Sequence, residues 1–264
     1  MAELLFVVSL LAYAEGAVAY AAEARRPGLA GRLAIWGVRV GWLTQTALLV
    51  AQVVRADAFP WSSWAGSLNL FVWLVVGTYL IWGCRARFRL LGLVVMPLAA
   101  VLFALSGFAG GTSGGGDTRY STLFLVLHVG LVLAAFAGFT LAAALSALYL
   151  WQERRLKRHA ATILRLRVPS LVTLDELAAR TIAIALPALT LGIVTGAVRL
   201  ASTDRSVDAL IAVTLLAWLV YAAFLFLRYE AGWRGRRAAY LTLVGFALVL
   251  AVRVGLPTTH FASG

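Results

Sequence analysis

The chain has 264 residues, 62% of them hydrophobic and only 13% charged, with a formal net charge of +12. Soluble domains are about half apolar, and an exterior this apolar would aggregate in water, so the composition excludes a water-soluble globular protein and points to a polytopic membrane protein. The positive charge lies in short runs between apolar segments, which reads as membrane topology rather than a nucleic-acid surface. The lone Cys84, with no CxxC or CxxCH, excludes an internal disulfide, a dithiol oxidoreductase and a c-type cytochrome.

A bilayer span takes about 20 apolar residues. Eight such spans are predicted, at roughly 3–22, 33–54, 67–83, 91–107, 121–150, 174–201, 207–227 and 238–257. The expected fold is an all-α membrane helix bundle. No polar linker is long enough to divide it, so residues 1–264 are expected to form one integral membrane domain. The first span shows no signal-peptide cleavage pattern and is expected to stay. It holds Glu15, an acidic residue well inside an apolar run and a candidate for a polar network. Span two carries Gly37-x-x-x-Gly41, a close-packing pattern, and Arg39, which is expected to pair with Gln45 or to reach the inner interface. Trp61 and Trp64 follow in the second connection, where an interfacial belt or stacking on a flat ligand would suit them.

Pro97 and Pro187 are expected to kink or loosen spans four and six. The glycine-rich GGTSGGGDT lies outside any strand–helix context and reads as a flexible loop, not a phosphate cradle. Small residues recur along span five at Gly130, Ala134, Gly138, Ala142 and Ser146, and along span six at Ala188, Gly192 and Gly196, a pattern that lets backbones pack. After span five, ERRLKRHAATILRLRV suits either an amphipathic helix on the anionic inner leaflet or a solvated basic loop.

The odd-numbered connections hold Arg25, Arg26 and Arg32; Arg85, Arg87 and Arg89; Arg154, Arg155, Lys157, Arg158, Arg165 and Arg167; and Arg228, Arg234, Arg236 and Arg237. The even-numbered ones hold only Arg55, Arg119 and Arg205. The positive-inside rule therefore makes the odd connections cytoplasmic and places both termini on the outer face of the inner (plasma) membrane.

Three histidines are present. His159 sits in the basic cytoplasmic loop and reads as solvated. His128, near the outer end of span five, and His260, just beyond span eight, share the outer face. Neutral imidazole is an axial ligand for haem iron, and two imidazoles on opposite sides of the macrocycle would make a bis-histidine site. The alternative is a hydrogen-bonding packing histidine and a frayed terminus. No third ligand with suitable spacing favours another metal. Arg199 and Arg253, also toward the outer side, suit haem propionates as well as they suit headgroups or Asp204 and Asp208.

The run LHVGLVLAAFAGFTLAAALSALYLWQERRLKRH, then VPSLVTLDELAARTIAIALPALTLGIVTGAVRLA, then LAWLVYAAFLFLRYEAGWRGRRAAYLTLVGFALVLAVRVGLPTTH, resembles the cytochrome c assembly family, in the HemX-like branch related to CcsA and CcmC. GWRGRRAA followed by GF and the histidine early in its helix carry the likeness most specifically. The segment FPWSSWAGSLNLFVWLVVGTYLIW is similar to the one that precedes the family core, and the core itself would cover about 67–260.

The resemblance implies handling of non-covalent, b-type haem at the outer face, with His128 and His260 matching the two histidines that flank a tryptophan-rich WWD loop. That loop is missing here. Between spans six and seven the chain has only STDRS and then VDALIAV, and Trp218 comes later, inside span seven. The expectation is a haem-binding component of cytochrome c biogenesis or haem homeostasis that is not an enzyme by itself, with a membrane or cytoplasmic protein partner. The alternative is a HemX-like regulator or scaffold that contacts a cytoplasmic partner of tetrapyrrole synthesis. A small-molecule transporter is disfavoured, because no pair of broken helices is evident.

Overall fold

The computed structural model describes residues 2–25, 30–55, 60–83, 86–112, 121–158, 169–201 and 209–255. Among them the chain is all-helical: α1 (Ala2–Arg25), α2 (Ala30–Arg55), α3 (Trp64–Gly83), α4 (Gly92–Phe108), α5 (Thr122–Lys157), α6 (Leu171–Ala201), α7 (Ala209–Tyr229) and α8 (Arg236–Leu250). Six of these are long and apolar enough to cross a bilayer, and α4 is a shorter apolar helix. α4 is preceded by a 3₁₀ turn at Ala86–Leu91, and α8 runs on into a π-helical turn at Ala251–Gly255. The protein is a multi-pass helical membrane protein.

Each helix matches a predicted span to within a few residues except α5 and α8, which ends as an α-helix at Leu250 against an expected 257 and is not among the six. The 36 residues of α5 extend for about 54 Å at 1.5 Å per residue, well beyond a hydrocarbon core of about 30 Å. The surplus is the polar end that carries Arg154, Arg155 and Lys157, where Glu153 and Lys157 pair at 2.8 Å one turn apart. Helix is thus continuous through the first part of the basic connection; residues 159–168, with His159, lie outside the described residues. α4 and α6 continue through Pro97 and Pro187.

The residues group into two compact units, the first built on α1–α4 with the end of α5 from Gln152, and the second on α5 as far as Trp151 and α6–α8. In the first unit, glycines admit large side chains. A Cβ on Gly41 would lie 2.7 Å from Tyr13 Cε1, and one on Gly92 would strike Tyr20 and the Tyr79 hydroxyl. Glu23 turns its carboxylate onto the start of α2, where it accepts from the Gly31 N–H at 2.9 Å, a favourable place for an anion at a helix N-terminus. In the second unit Tyr221 of α7 is the central buried residue. It stacks on Phe139 of α5 at 3.7 Å and lies against Gly245 of α8, where a Cβ would come within 2.8 Å of the ring. The pairs Gly138–Ala185, Trp218–Thr190 and Tyr221–Thr242 fix α5, α6, α7 and α8 as successive antiparallel neighbours.

Candidate functional site

The antiparallel order of the second unit brings the start of α5, the end of α6, the start of α7 and the π-helical turn after α8 to one end. His128 lies at that end, half-buried on the second turn of α5. Its ring fits a notch that the small-residue stripe of α6 leaves open. A Cβ on Gly196 would lie 2.7 Å from His128 Cε1, and Gly192 makes similar room for Val132 Cγ2. One turn earlier on α5, Phe124 stacks parallel to the imidazole, with centroids 5.5 Å apart and an interplanar angle of 5°.

His128 Nδ1 lies 2.8 Å from the Gly192 carbonyl oxygen and 3.3 Å from Thr195 Oγ1, and the Thr195 hydroxyl donates to the same carbonyl at 2.8 Å. A carbonyl can only accept, so Nδ1 carries the proton and the imidazole lone pair is on Nε2. A neutral imidazole whose Nδ1–H is held by a carbonyl is the usual form of a metal-ligating histidine, because the bond fixes tautomer and ring orientation together. This donor fits an axial ligand to haem iron. Among the described residues no group of three or more His, Cys, Asp or Glu residues could hold a metal ion.

The other predicted site residues fall in different places. Arg199 lies on α6 one turn beyond Thr195, and Arg253 lies in the π-helical turn after α8, so the backbone carries both to the His128 end of the second unit. His260 lies outside the described residues. Trp61 and Trp64 belong to the first unit. There Trp61 Nε1 donates to Gln52 Oε1 at 3.3 Å, and Trp64 opens α3.

That bond is one end of a buried polar chain the sequence did not reveal. Tyr13 Oη donates to Gln45 Oε1 at 2.6 Å, and Gln45 Nε2 donates to Asn69 Oδ1 at 2.8 Å and to the Asn69 carbonyl at 3.0 Å. Asn69 Nδ2 lies 3.4 Å from Gln52 Oε1, and Gln52 Nε2 donates to the Gly111 carbonyl at 2.8 Å. Two expectations are thereby corrected. Gln45 is taken up by Tyr13 and Asn69 rather than by Arg39, whose guanidinium lies over Trp36 at 5.1 Å. Glu15 takes no part in a polar network among the described residues. It is exposed along α1, with its carboxylate in the space that a side chain at Gly37 would fill.

At the opposite end of the second unit, Asp175 of α6 ties three helices together. Its Oδ2 accepts from Arg228 Nη2 of α7 at 2.8 Å, and its Oδ1 accepts from the Gly235 N–H that opens α8 at 2.9 Å. Gly235 has φ +69°, a conformation glycine adopts readily, and a Cβ there would lie 2.9 Å from the Tyr149 hydroxyl. Arg228 Nη1 is buried with no hydrogen-bond partner among the described residues. In the sequence Arg228 stood only as one of the cytoplasmic cations. The signal that could have exposed the clamp was a loop glycine between two arginines, with an aspartate near the start of α6, two apolar runs before α8.

The family model for the cytochrome c assembly protein matches residues 61–256. A protein named cytochrome c biogenesis protein CcsA from Microcystis aeruginosa is 28% identical, with 96% of this chain and 91% of that protein aligned. A CcsA from Guillardia theta is 27% identical over 81% of this chain and 78% of its own length. A protein named HemX from Brevibacillus brevis is 29% identical over 87% of this chain and 86% of its own length. No solved structure gives a significant match.

Proposed function

Because this chain belongs to the cytochrome c assembly protein family, we propose that it binds haem non-covalently as cargo for cytochrome c biogenesis, with His128 and His260 as the axial ligands. The observation that supports this most is the hydrogen bond from His128 Nδ1 to the Gly192 carbonyl, which leaves Nε2 as the electron-pair donor. Bound haem would supply the iron, and the porphyrin that cytochrome maturation consumes. The rest is done by the chain's own residues. Phe124 and the Gly192–Gly196 notch orient the imidazole, and Arg199 and Arg253, at the same end of the second unit, are the cations suited to the propionates. We place this end at the outer face of the inner membrane, from the distribution of basic residues between odd and even connections.

The short STDRS connection argues against a complete haem ligase. With no tryptophan platform and no dithiol of its own, the chain suits the role of haem carrier working with a membrane partner. The same missing platform, together with the HemX relative, favours a second reading, that of a regulator whose basic connections contact a cytoplasmic partner of tetrapyrrole synthesis.

Purification from haem-replete membranes followed by a reduced-minus-oxidised spectrum separates the two. The carrier reading expects a low-spin b-type spectrum in the wild type, and expects His128→Ala and His260→Ala each to abolish the low-spin form. A wild-type protein that carries no haem and cannot be loaded with it points to the regulator. A low-spin b-type spectrum that is unchanged in both variants would show the ligands to be other residues.

A further inference from the structure

The outward side of α1 is an apolar stripe that includes Leu4, Leu11 and Val18, all well exposed, and in the middle of the helix it is interrupted by Glu15. Glu15 makes no hydrogen bond or ion pair among the described residues. An ionisable side chain inside a membrane segment is costly and is nearly always turned inward or paired, and the Glu15 carboxylate lies at the edge of the outward stripe, in the groove that Gly37 leaves on α2. A positive charge on the same chain lies at the same depth. Contacts of Ser9 with Thr44, Glu15 with Gly37 and Glu23 with Gly31 set the antiparallel register of α1 and α2. Arg39 is two residues beyond Gly37, a rise of about 3 Å. Its guanidinium lies over the ring of Trp36, which is itself 63% exposed on the outward side of α2.

We propose that the outward α1–α2 face is a dimer interface with a second copy of this chain, in which Glu15 of each copy pairs with Arg39 of the other. A two-fold axis along the membrane normal preserves depth, so two residues at one level on the same face meet reciprocally across it, and the interface contains the pair twice. A different partner helix would have to bring its own basic residue to that depth, whereas a second copy brings it by symmetry. Apolar contact from Leu11, Val18 and Trp36 would surround the pairs and exclude lipid headgroups and water. This inference is independent of haem binding.

The test uses full-length protein tagged with donor or acceptor fluorophores in vesicles of phosphatidylethanolamine and phosphatidylglycerol, with energy transfer followed as lipid is added. The wild type should associate. Glu15→Gln and Arg39→Gln should each dissociate at about tenfold lower lipid dilution, Arg39→Lys should stay close to wild type, and the reversed pair Glu15→Arg/Arg39→Glu should recover most of the association. Disulfide cross-linking between copies carrying Leu11→Cys in a Cys84→Ser background should be efficient in the wild-type pair and weak in Glu15→Gln. The proposal is overturned by a wild type that shows no transfer at the lowest dilution. Association that neither single substitution weakens, or a reversed pair that stays as weak as the singles, overturns it equally, since either would mean that these charges do not meet.

Discussion

His128 shows how little separates a packing histidine from a ligand at the residue scale. Its ring is placed by a carbonyl acceptor, a parallel phenyl ring and a glycine notch, and each of these can be altered alone. Gly196→Ala puts a methyl group within 2.7 Å of Cε1, so the ring must move. Overpacking of this kind costs about 1–3 kcal/mol, and a loss of roughly tenfold or more in haem affinity, measured by haemin titration, is the expected outcome. Thr195→Val removes the hydroxyl 3.3 Å from Nδ1 but leaves the Gly192 carbonyl, so it should weaken affinity by about threefold at most and leave the ligation spectrum unchanged. The sequence identifies His128 because a polar ring in an apolar run is conspicuous. It cannot identify Gly192 and Thr195 as its partners, since they lie 64 and 67 residues away and become neighbours only through the antiparallel packing of α5 and α6. Glu15 and Gln45 show the same limit. Both are conspicuous as polar residues in spans, yet only the register of α1 on α2 decides that Gln45 is enclosed and Glu15 is not.

Two polar assemblies hold helices together where lipid offers no hydrophobic drive for association. The Tyr13–Gln45–Asn69–Gln52 chain joins α1, α2 and α3 and reaches the turn after α4 at Gly111. Asn69→Leu would strand amide groups of Gln45 and Gln52, at about 1–3 kcal/mol for each group left unsatisfied, so the thermal midpoint in detergent should fall well below that of a conservative lipid-facing control such as Leu43→Ile. The Asp175–Arg228 pair, with both side chains about nine-tenths buried, does the same for α6, α7 and α8. Arg228→Met leaves the carboxylate without its cation and should destabilise by about 3 kcal/mol, while the double change Asp175→Leu/Arg228→Met should cost less, because no buried charge remains. The helices themselves were legible in the sequence, since unbroken apolar length fixes a span almost without regard to context. Their polar cross-links were not, because an asparagine or an aspartate in a span announces a partner without saying on which helix it lies. The length of α5 beyond its membrane span has a related cause. Hydropathy marks where the membrane ends, and helix propensity in WQERRLK carries the same helix onward.

For the whole molecule, the end of the second unit that carries His128 faces outward only if the basic connections are cytoplasmic. Alkaline phosphatase fused after Thr112 should be active and the same enzyme fused after Arg158 inactive, because the first junction lies in an arginine-poor connection and the second in the most basic one. The proposed bond from the His128 imidazole to haem iron is tested by the low-temperature electron paramagnetic resonance spectrum of the ferric, haem-loaded protein. Two axial imidazoles predict a low-spin signal in the wild type. His128→Ala should convert it to a high-spin signal, and added imidazole should restore the low-spin form. A spectrum that is identical in wild type and His128→Ala, with haem bound in both, would show that His128 is not an axial ligand.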